Sequence, residues 1–227
     1  MGRIISRLKA RLAMAASRES DNVEIFSRIY RKKVWSTGDA RGRDFWSGAG
    51  STGAFTREYE QAVVRFIRQH QINMIVDLGC GDFQVGQRIL AEADCSYIGV
   101  DVVPDLIARN NRLFGNDRVA FICADISLEE LPDGDLCLIR QVLQHLDNAT
   151  VEQVLKNVAK YPWVIITESQ RIRPKVVNRD IKTGSWTRTQ FDSGLYFDQP
   201  PFSREIETLL DVSRDQDVVI RTCLLRN

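Results

Sequence analysis

The chain lacks any apolar run approaching the roughly 18 residues that cross a bilayer, and no secretory leader with a continuous apolar centre opens it. Cysteine is scarce and unpaired: Cys80, Cys95, Cys123, Cys137 and Cys223 make five, an odd number, with no C-x-x-C pair. Several sit in apolar stretches where a thiol packs as a small hydrophobe, so a reducing cytoplasm fits best. Net charge is nearly absent too. At +1, with 31 basic against 30 acidic residues, it argues against affinity drawn from a strongly basic surface, and nucleic acid is not expected as a partner. Oxygen ligands form no clear cluster, so a metal centre is not expected. Histidine occurs only twice, and internal repeats and low-complexity tracts are missing.

What is present is ordinary globular material: 227 residues, 44% hydrophobic and 27% charged, enough to bury one core. In the N-terminal MGRIISRLKARLAMAAS, Ile4, Ile5, Leu8, Leu12 and Met14 share a helical face against Arg3, Arg7, Lys9 and Arg11. Such a basic amphipathic helix suits a membrane surface, a docking partner or a targeting role, or packs on its own domain. MGRIIS also matches the loose myristoylation pattern.

From Met74 onward, short apolar runs alternate with helical patterns. MIVDL, SYIGVDV, VAFICADI, DLCLIRQ and WVIITES read as buried strands, separated by QVGQRILAEA, PDLIARNNRLF (Pro104 at a favoured first-turn position) and NATVEQVLKNVAKY (Asn148 as its cap). Strands regularly separated by helices imply a parallel sheet covered on both faces, a doubly wound α/β domain. Residues 170–202 break the rhythm with Pro174, Gly184, Gly194, Pro200 and Pro201, a length that marks a functional loop or a disordered segment. REIETLLDV and DQDVVIRTCLL then supply a closing pair of elements, the last a strand that can lie antiparallel.

Ligands of such sheets bind outside the carboxyl ends of the strands. The first strand-to-helix turn is VDLGCGDF, where Gly79 and Gly81 permit close backbone approach and Asp77 offers an acceptor-only carboxylate. A dinucleotide fingerprint needs a third glycine where Gln84 stands, and Asp77 suits an ammonium or sulfonium better than a pyrophosphate. Asp101 ends the second strand about twenty residues after the glycine turn, placed to accept from ribose hydroxyls. Asp125 ends the third in FICADI, placed to accept from an exocyclic amine, with Ile126 beside it for apolar contact to a ring.

In combination, VDLGCGDF, YIGVDVV, FICADI and DLCLIRQVLQHL resemble the motifs of class I S-adenosylmethionine-dependent methyltransferases, over roughly residues 72–168. WSGAGSTGAFTREY upstream and NRDIKTGSWTRTQFDSGLYFDQPPF downstream resemble a bacterial-type subgroup acting on glycans and small molecules. The resemblance implies a seven-stranded sheet with its last strand antiparallel, S-adenosylmethionine as methyl donor, and an acceptor under the C-terminal loops. It divides the chain into an N-terminal helical segment and cofactor-covering loop (1–56) and a methyltransferase domain (57–227) with an acceptor loop at 170–202. It places Cys80, Phe83, Val102 and Arg140 beside the cofactor along with Asp77, Gly79, Gly81, Asp101, Asp125 and Ile126. Phe83 stands where the usual pattern has a third glycine.

GAGSTGAFT is rich in backbone donors and can fold over the cofactor carboxylate, with Ser51 or Arg57 in contact and Arg43 and Trp46 closing the pocket; alternatively it is a linker. His70 ends an exposed helix, whereas His145 follows the fourth strand at the carboxyl edge, where a base is useful if the nucleophile is a hydroxyl. Asp180 and Arg188 are expected to position the acceptor, with Trp186 and Tyr196 offering aromatic faces to a sugar ring and Glu168 holding substrate or orienting the base. The expected reaction is O-methylation of a sugar hydroxyl. N-methylation of an amine or protein side chain, and a non-catalytic binding module docking through the basic helix, remain open beside it.

Overall fold

The computed structural model describes residues 21–36, 44–51 and 53–226; the basic stretch at residues 1–17 and Arg43 lie outside the described residues. Seven strands form one sheet: β1 (Met74–Leu78), β2 (Ser96–Asp101), β3 (Val119–Cys123), β4 (Leu136–Arg140), β5 (Trp163–Arg171), β6 (Glu205–Ser213) and β7 (Val218–Arg226). Their order is β3-β2-β1-β4-β5-β7-β6. β1 to β5 are parallel, and β7 inserts antiparallel between β5 and β6, as the resemblance implied. β5 runs through Arg171, so the long loop starts two residues later than its sequence pattern suggests.

Helices α1 (Asp21–Arg31), α2 (Gly53–His70), α3 (Gln84–Glu92), α4 (Pro104–Phe114) and α5 (Asn148–Val158) surround the sheet. Successive strand residues face opposite ways, and both faces are apolar. Val76, Ile98, Ile139 and Ile166 pack with Val151, Val154 and Leu155 of α5 and with Leu195, Phe197 and Phe202 of the long loop. Ile75, Tyr97, Phe121 and Leu138 pack with Tyr59, Val63 and Ile67 of α2, Ile89 of α3 and Ile107 of α4. α5 is capped by Asp147, whose carboxylate accepts from the Thr150 N–H at 2.8 Å. Asn148, the expected cap, begins the helix instead.

The chain winds outward from β1 through β2 to β3, then returns to the other side of β1 to place β4 and β5. This reversal leaves a crevice at the carboxyl ends of β1 and β4, the place where no crossover helix covers the sheet edge.

Phe83 precedes α3 with φ 67, a left-handed conformation that costs a non-glycine residue strain. Its ring is buried against Tyr97, Phe114 and Phe121 at centroid distances of 5.0, 5.2 and 4.9 Å. Burial of an aromatic ring compensates the backbone, and the expected cofactor contact gives way to a core role. Phe83→Ala should therefore cost about 3–5 kcal/mol in urea unfolding. A loss below about 1 kcal/mol would show that the ring does not anchor this turn.

Candidate functional site

The crevice is a cavity of about 410 Å³, lined from β1, β2 and β4, the loops after β3 and β4, helix α1 and the long loop. Its inner half is acidic. Asp77 accepts from the Tyr97 hydroxyl at 2.5 Å, and burial pushes its carboxyl up to about 6, against that hydrogen bond and the Arg140 charge. Asp101 accepts from the Gly81 and Val103 N–H groups, both at 3.1 Å, yet burial raises it to about 6 as well. Asp125 takes the Ser127 N–H and hydroxyl on one oxygen (2.9 and 2.6 Å) and the Asn22 side-chain amide on the other (2.9 Å). Val102, Ala124 and Ile126 supply apolar wall, and Cys80 lines the same space.

The glycine turn is required by its own neighbours. Gly79 has φ 78, and a Cβ there would meet Val142 Cγ2 at 2.3 Å; Gly81 has φ 54, and its Cβ would meet Ser47 Oγ at the same distance. That close approach lets Ser47 Oγ accept from the Asp82 N–H at 2.8 Å while it pairs with the Tyr30 hydroxyl at 3.0 Å. Gly48, Gly50 and Ser51 also line the cavity. Their turn is pinned by two arginines: Arg140 donates to the Gly50 carbonyl (2.7 Å), and Arg88 to the Ser51 carbonyl (3.1 Å) and to Glu60 (2.7 Å).

The outer half is built around His145, which follows β4 in a one-turn 3₁₀ helix, Leu143–His145. Its Nδ1 lies 3.1 Å from the Trp186 carbonyl, an atom that can only accept, so Nδ1 carries the proton and Nε2 is an acceptor, with the Gln144 side-chain amide nitrogen 3.5 Å from it as donor. Burial pushes the imidazole down to about 4, which keeps it neutral at physiological pH. The Gly184 N–H donates to the His145 carbonyl (3.0 Å), and the Trp35 indole donates to the Ser185 carbonyl (3.3 Å) with its ring 5.0 Å from the imidazole. Gln144 is buried beside it, and its side-chain carbonyl oxygen has no hydrogen-bond partner. Gln141, Thr187, Thr189 and Gln190 add a hydrogen-bonding wall, and Arg214 also lines the cavity.

Several expected contacts lie elsewhere. Arg57 is exposed on α2, outside the cavity lining, and Trp46 is buried behind it. Asp180 is exposed, accepting from the Asn148 and Ile181 N–H groups at 2.8 and 3.0 Å, so it braces the start of α5 and does not meet the cavity. Arg188 is fully buried and spends its guanidinium on the carbonyls of Leu143 (3.1 Å), Leu146 (2.7 Å) and Arg179 (3.0 Å) and on the Asn148 side chain (2.7 Å). It holds the turn that carries His145. Glu168 is also fully buried, accepting from the Val142 and Leu143 N–H groups at 3.0 and 2.7 Å beneath that turn. The Tyr196 hydroxyl donates to the Arg171 carbonyl at 2.5 Å, and the Trp186 ring faces solvent. Asp180, Arg188 and Tyr196, expected as ligand contacts, instead brace the backbone, and Trp186 faces solvent.

The reverse error concerns Asn22, Phe26, Tyr30 and Trp35, which line the cavity from α1 and the turn after it. Phe26 and Tyr30 stand four apart on one helical face, a spacing that could have marked the element. Among the described residues, no group of three or more His, Cys, Asp or Glu side chains assembles as metal ligands, and no helix is long and apolar enough to cross a membrane.

Residues 76–161 match the profile of a methyltransferase domain. No curated protein matches the sequence. Among solved structures, the chain is similar to the N-methyltransferase NodS from Bradyrhizobium japonicum WM9 in complex with S-adenosyl-l-homocysteine, with a TM-score of 0.59 at 12% identity over 91% of this chain and 100% of that one. It is similar to magnesium protoporphyrin IX methyltransferase (ChlM) from Synechocystis PCC 6803 with bound SAH (TM-score 0.55, 11% identity, 91% and 97% covered). It is also similar to the mitomycin 7-O-methyltransferase MmcR (TM-score 0.53, 15% identity, 77% and 55% covered). At these identities the likeness is one of fold.

Burial raises Glu168 to about 8, opposed by the Leu143 and Val142 N–H groups. A carboxyl that keeps its proton longer folded than unfolded contributes stability below its unfolded value near 4.5, which is lost as pH rises through about 8. Glu168→Gln keeps an acceptor oxygen for both N–H groups and cannot ionise. Between pH 6 and 9, wild-type Tm should fall more steeply than that of the variant; parallel curves would refute the assignment.

Proposed function

We propose that this chain is an S-adenosylmethionine-dependent methyltransferase and that it methylates an oxygen, a hydroxyl of a small polar acceptor of the sugar class. The observation that carries this reading is the neutral His145, its Nδ1 proton committed to the Trp186 carbonyl and its Nε2 an acceptor whose contact with the Gln144 side-chain amide, at 3.5 Å, is long enough for a hydroxyl to displace. The partnerless Gln144 carbonyl oxygen stands next to it, so two adjacent acceptors favour a ligand bearing more than one O–H. The outer wall named above presents no carboxylate, which is the group an ammonium acceptor would call for.

S-adenosylmethionine, when bound, supplies an electrophilic methyl group on a sulfonium. The inner half fits it. Asp77 and Asp101 are carboxylates held toward neutrality by burial, a condition that a cationic ligand relieves. We assign Asp101 to the ribose hydroxyls, Asp125 with Val102 and Ile126 to the adenine, and Asp77 to the cationic end. Arg140 and the Gly50–Ser51 turn would hold the ligand's carboxylate. Cys80, Gly79 and Gly81 shape the floor.

In the reaction, the chain's part is alignment, exclusion of water and removal of one proton. Trp35, Phe26 and Tyr30 cover the cavity and keep solvent from the reacting atoms. His145 Nε2 accepts the hydroxyl proton as the oxygen attacks, and the resulting imidazolium is steadied by the Trp186 carbonyl.

Transfer of isotope from labelled S-adenosylmethionine to a panel of sugars, nucleotide sugars, amines and proteins, with mass spectrometry of the product, tests the acceptor class. Labelling of amines alone would overturn the reading. His145→Ala should lower kcat by about 100-fold to 10,000-fold while S-adenosylhomocysteine affinity in calorimetry stays unchanged. Asp101→Asn should instead weaken that affinity by about 10-fold to 150-fold through loss of a charged hydrogen-bond acceptor. Because burial holds His145 near 4, kcat at saturating S-adenosylmethionine, where the bound cation keeps Asp77 and Asp101 ionised, should stay flat from pH 7 down to about 5 and fall through about 4, the imidazole being protonated and unable to accept below that. An acid limb near 6.5 would show that His145 is not the base, or is not buried as described.

A further inference from the structure

Large apolar side chains are exposed at eight described positions, and five of these fall in the long loop: Ile172, Val176, Val177, Trp186 and Phe191. They are not scattered along an extended strand. Trp186 and Phe191 lie with ring centroids 6.1 Å apart, and the Arg179 guanidinium sits over Phe191 at 5.6 Å. The Lys175 N–H donates to the Asp192 carbonyl at 2.9 Å, which ties the 175–177 stretch to the end of the same turn. The paired Trp186 and Phe191 rings, with further exposed aliphatic side chains in the same loop, mark a candidate interaction surface.

Charge decides what it meets. Between residues 171 and 191 the sequence has six bases, Arg171, Arg173, Lys175, Arg179, Lys182 and Arg188, against one acid, Asp180, in a chain whose net charge is only +1. Arg188 is buried, and Arg171 and Lys175 pair with Asp192 at 3.2 and 2.8 Å. Arg173, Arg179 and Lys182 are exposed and form no ion pair among the described residues. Tryptophan, phenylalanine and aliphatic side chains interleaved with unpaired cations suit the interface of an anionic lipid leaflet, where rings and methyls enter the headgroup boundary and cations meet lipid phosphates. The patch adjoins the cleft mouth, since Ser185, Thr187, Thr189 and Gln190 of the same segment line the cavity.

We propose that residues 172–191 form a membrane-facing surface that seats the mouth of the cleft on an anionic leaflet, so that an acceptor carried on a lipid headgroup reaches His145. The identity of the acceptor rests on the reading above; the surface itself does not.

The full chain should co-sediment with phosphatidylcholine vesicles containing phosphatidylglycerol, not with phosphatidylcholine alone, and be released by salt. Trp186, exposed while Trp46 is buried, should shift its emission to shorter wavelength on binding. Val176→Ser/Val177→Ser/Phe191→Ser should lower partitioning at least about tenfold. Arg173→Gln/Lys182→Gln should lower it by about fivefold for each cation removed. Both variants should keep wild-type Tm and S-adenosylhomocysteine affinity. Absence of wild-type binding, or undiminished binding of both variants, overturns the proposal; the latter would assign the membrane to the N-terminal basic stretch. Lipid-independent dimerisation abolished by the triple substitution also overturns it, in favour of a second copy. Methylation of soluble sugars without vesicles is scored separately, so failure of the surface and failure of the acceptor class are read apart.

Discussion

Negative charge buried at one sheet edge is the constraint that the rest of the structure accommodates. Asp77, Asp101 and Asp125 converge on one cavity, and the burial of Asp77 and Asp101 is costly. The backbone offsets part of this. The left-handed glycine turn exists in the form it does because it delivers the Gly81 N–H to Asp101, and the bend after β3 brings the Ser127 N–H and hydroxyl to Asp125. What those bonds leave uncompensated shows in the raised Asp77 and Asp101, and under the proposed function a cationic donor would complete the balance. A turn that served only to connect β1 to α3 would have no reason to hold acids against their preference for water.

The outer half solves the opposite problem, fixing a neutral histidine without surrendering its basic nitrogen. Two buried ionisable groups do this from behind the wall. Glu168 gathers the Val142 and Leu143 N–H groups, and Arg188 gathers the Leu143 and Leu146 carbonyls, so the turn carrying His145 is held from both its donor and its acceptor sides. The imidazole then has one orientation available, because Nδ1 meets a carbonyl that cannot donate.

The sheet was legible in the sequence because parallel strands buried on both faces read as unbroken apolar runs, and because Gly79, Asp101 and Asp125 sit at strand ends that periodicity locates. The cover was not. α1 contacts the site through Asn22, Phe26, Tyr30 and Trp35, and its placement depends on tertiary contacts such as Asn22 to Asp125, about a hundred residues away in sequence, which no local pattern encodes. Arg188, Glu168 and Asp180 misled for a related reason. Charged residues near a catalytic edge look like ligand contacts until burial is known, and here each is used up on backbone groups. Phe83 illustrates the same limit at one position: its departure from the glycine pattern reads as an altered cofactor contact, whereas its ring fills a gap on the far face of the sheet.

The two halves of the cavity thereby differ in kind, and the difference bears on chemistry. Under the proposed function, an acidic inner half would stabilise a cationic methyl donor and equally attract a protonated amine, so an amine acceptor would compete with the donor for the same carboxylates. An outer wall without carboxylates would remove that competition. Hydroxyls would bind there through amides and a histidine that can take their proton, while the carboxylates would stay with the donor. Segregation of charge along one cleft would then be a device for order: the donor drawn inward by electrostatics, and the acceptor selected by hydrogen bonds at the position from which it can attack.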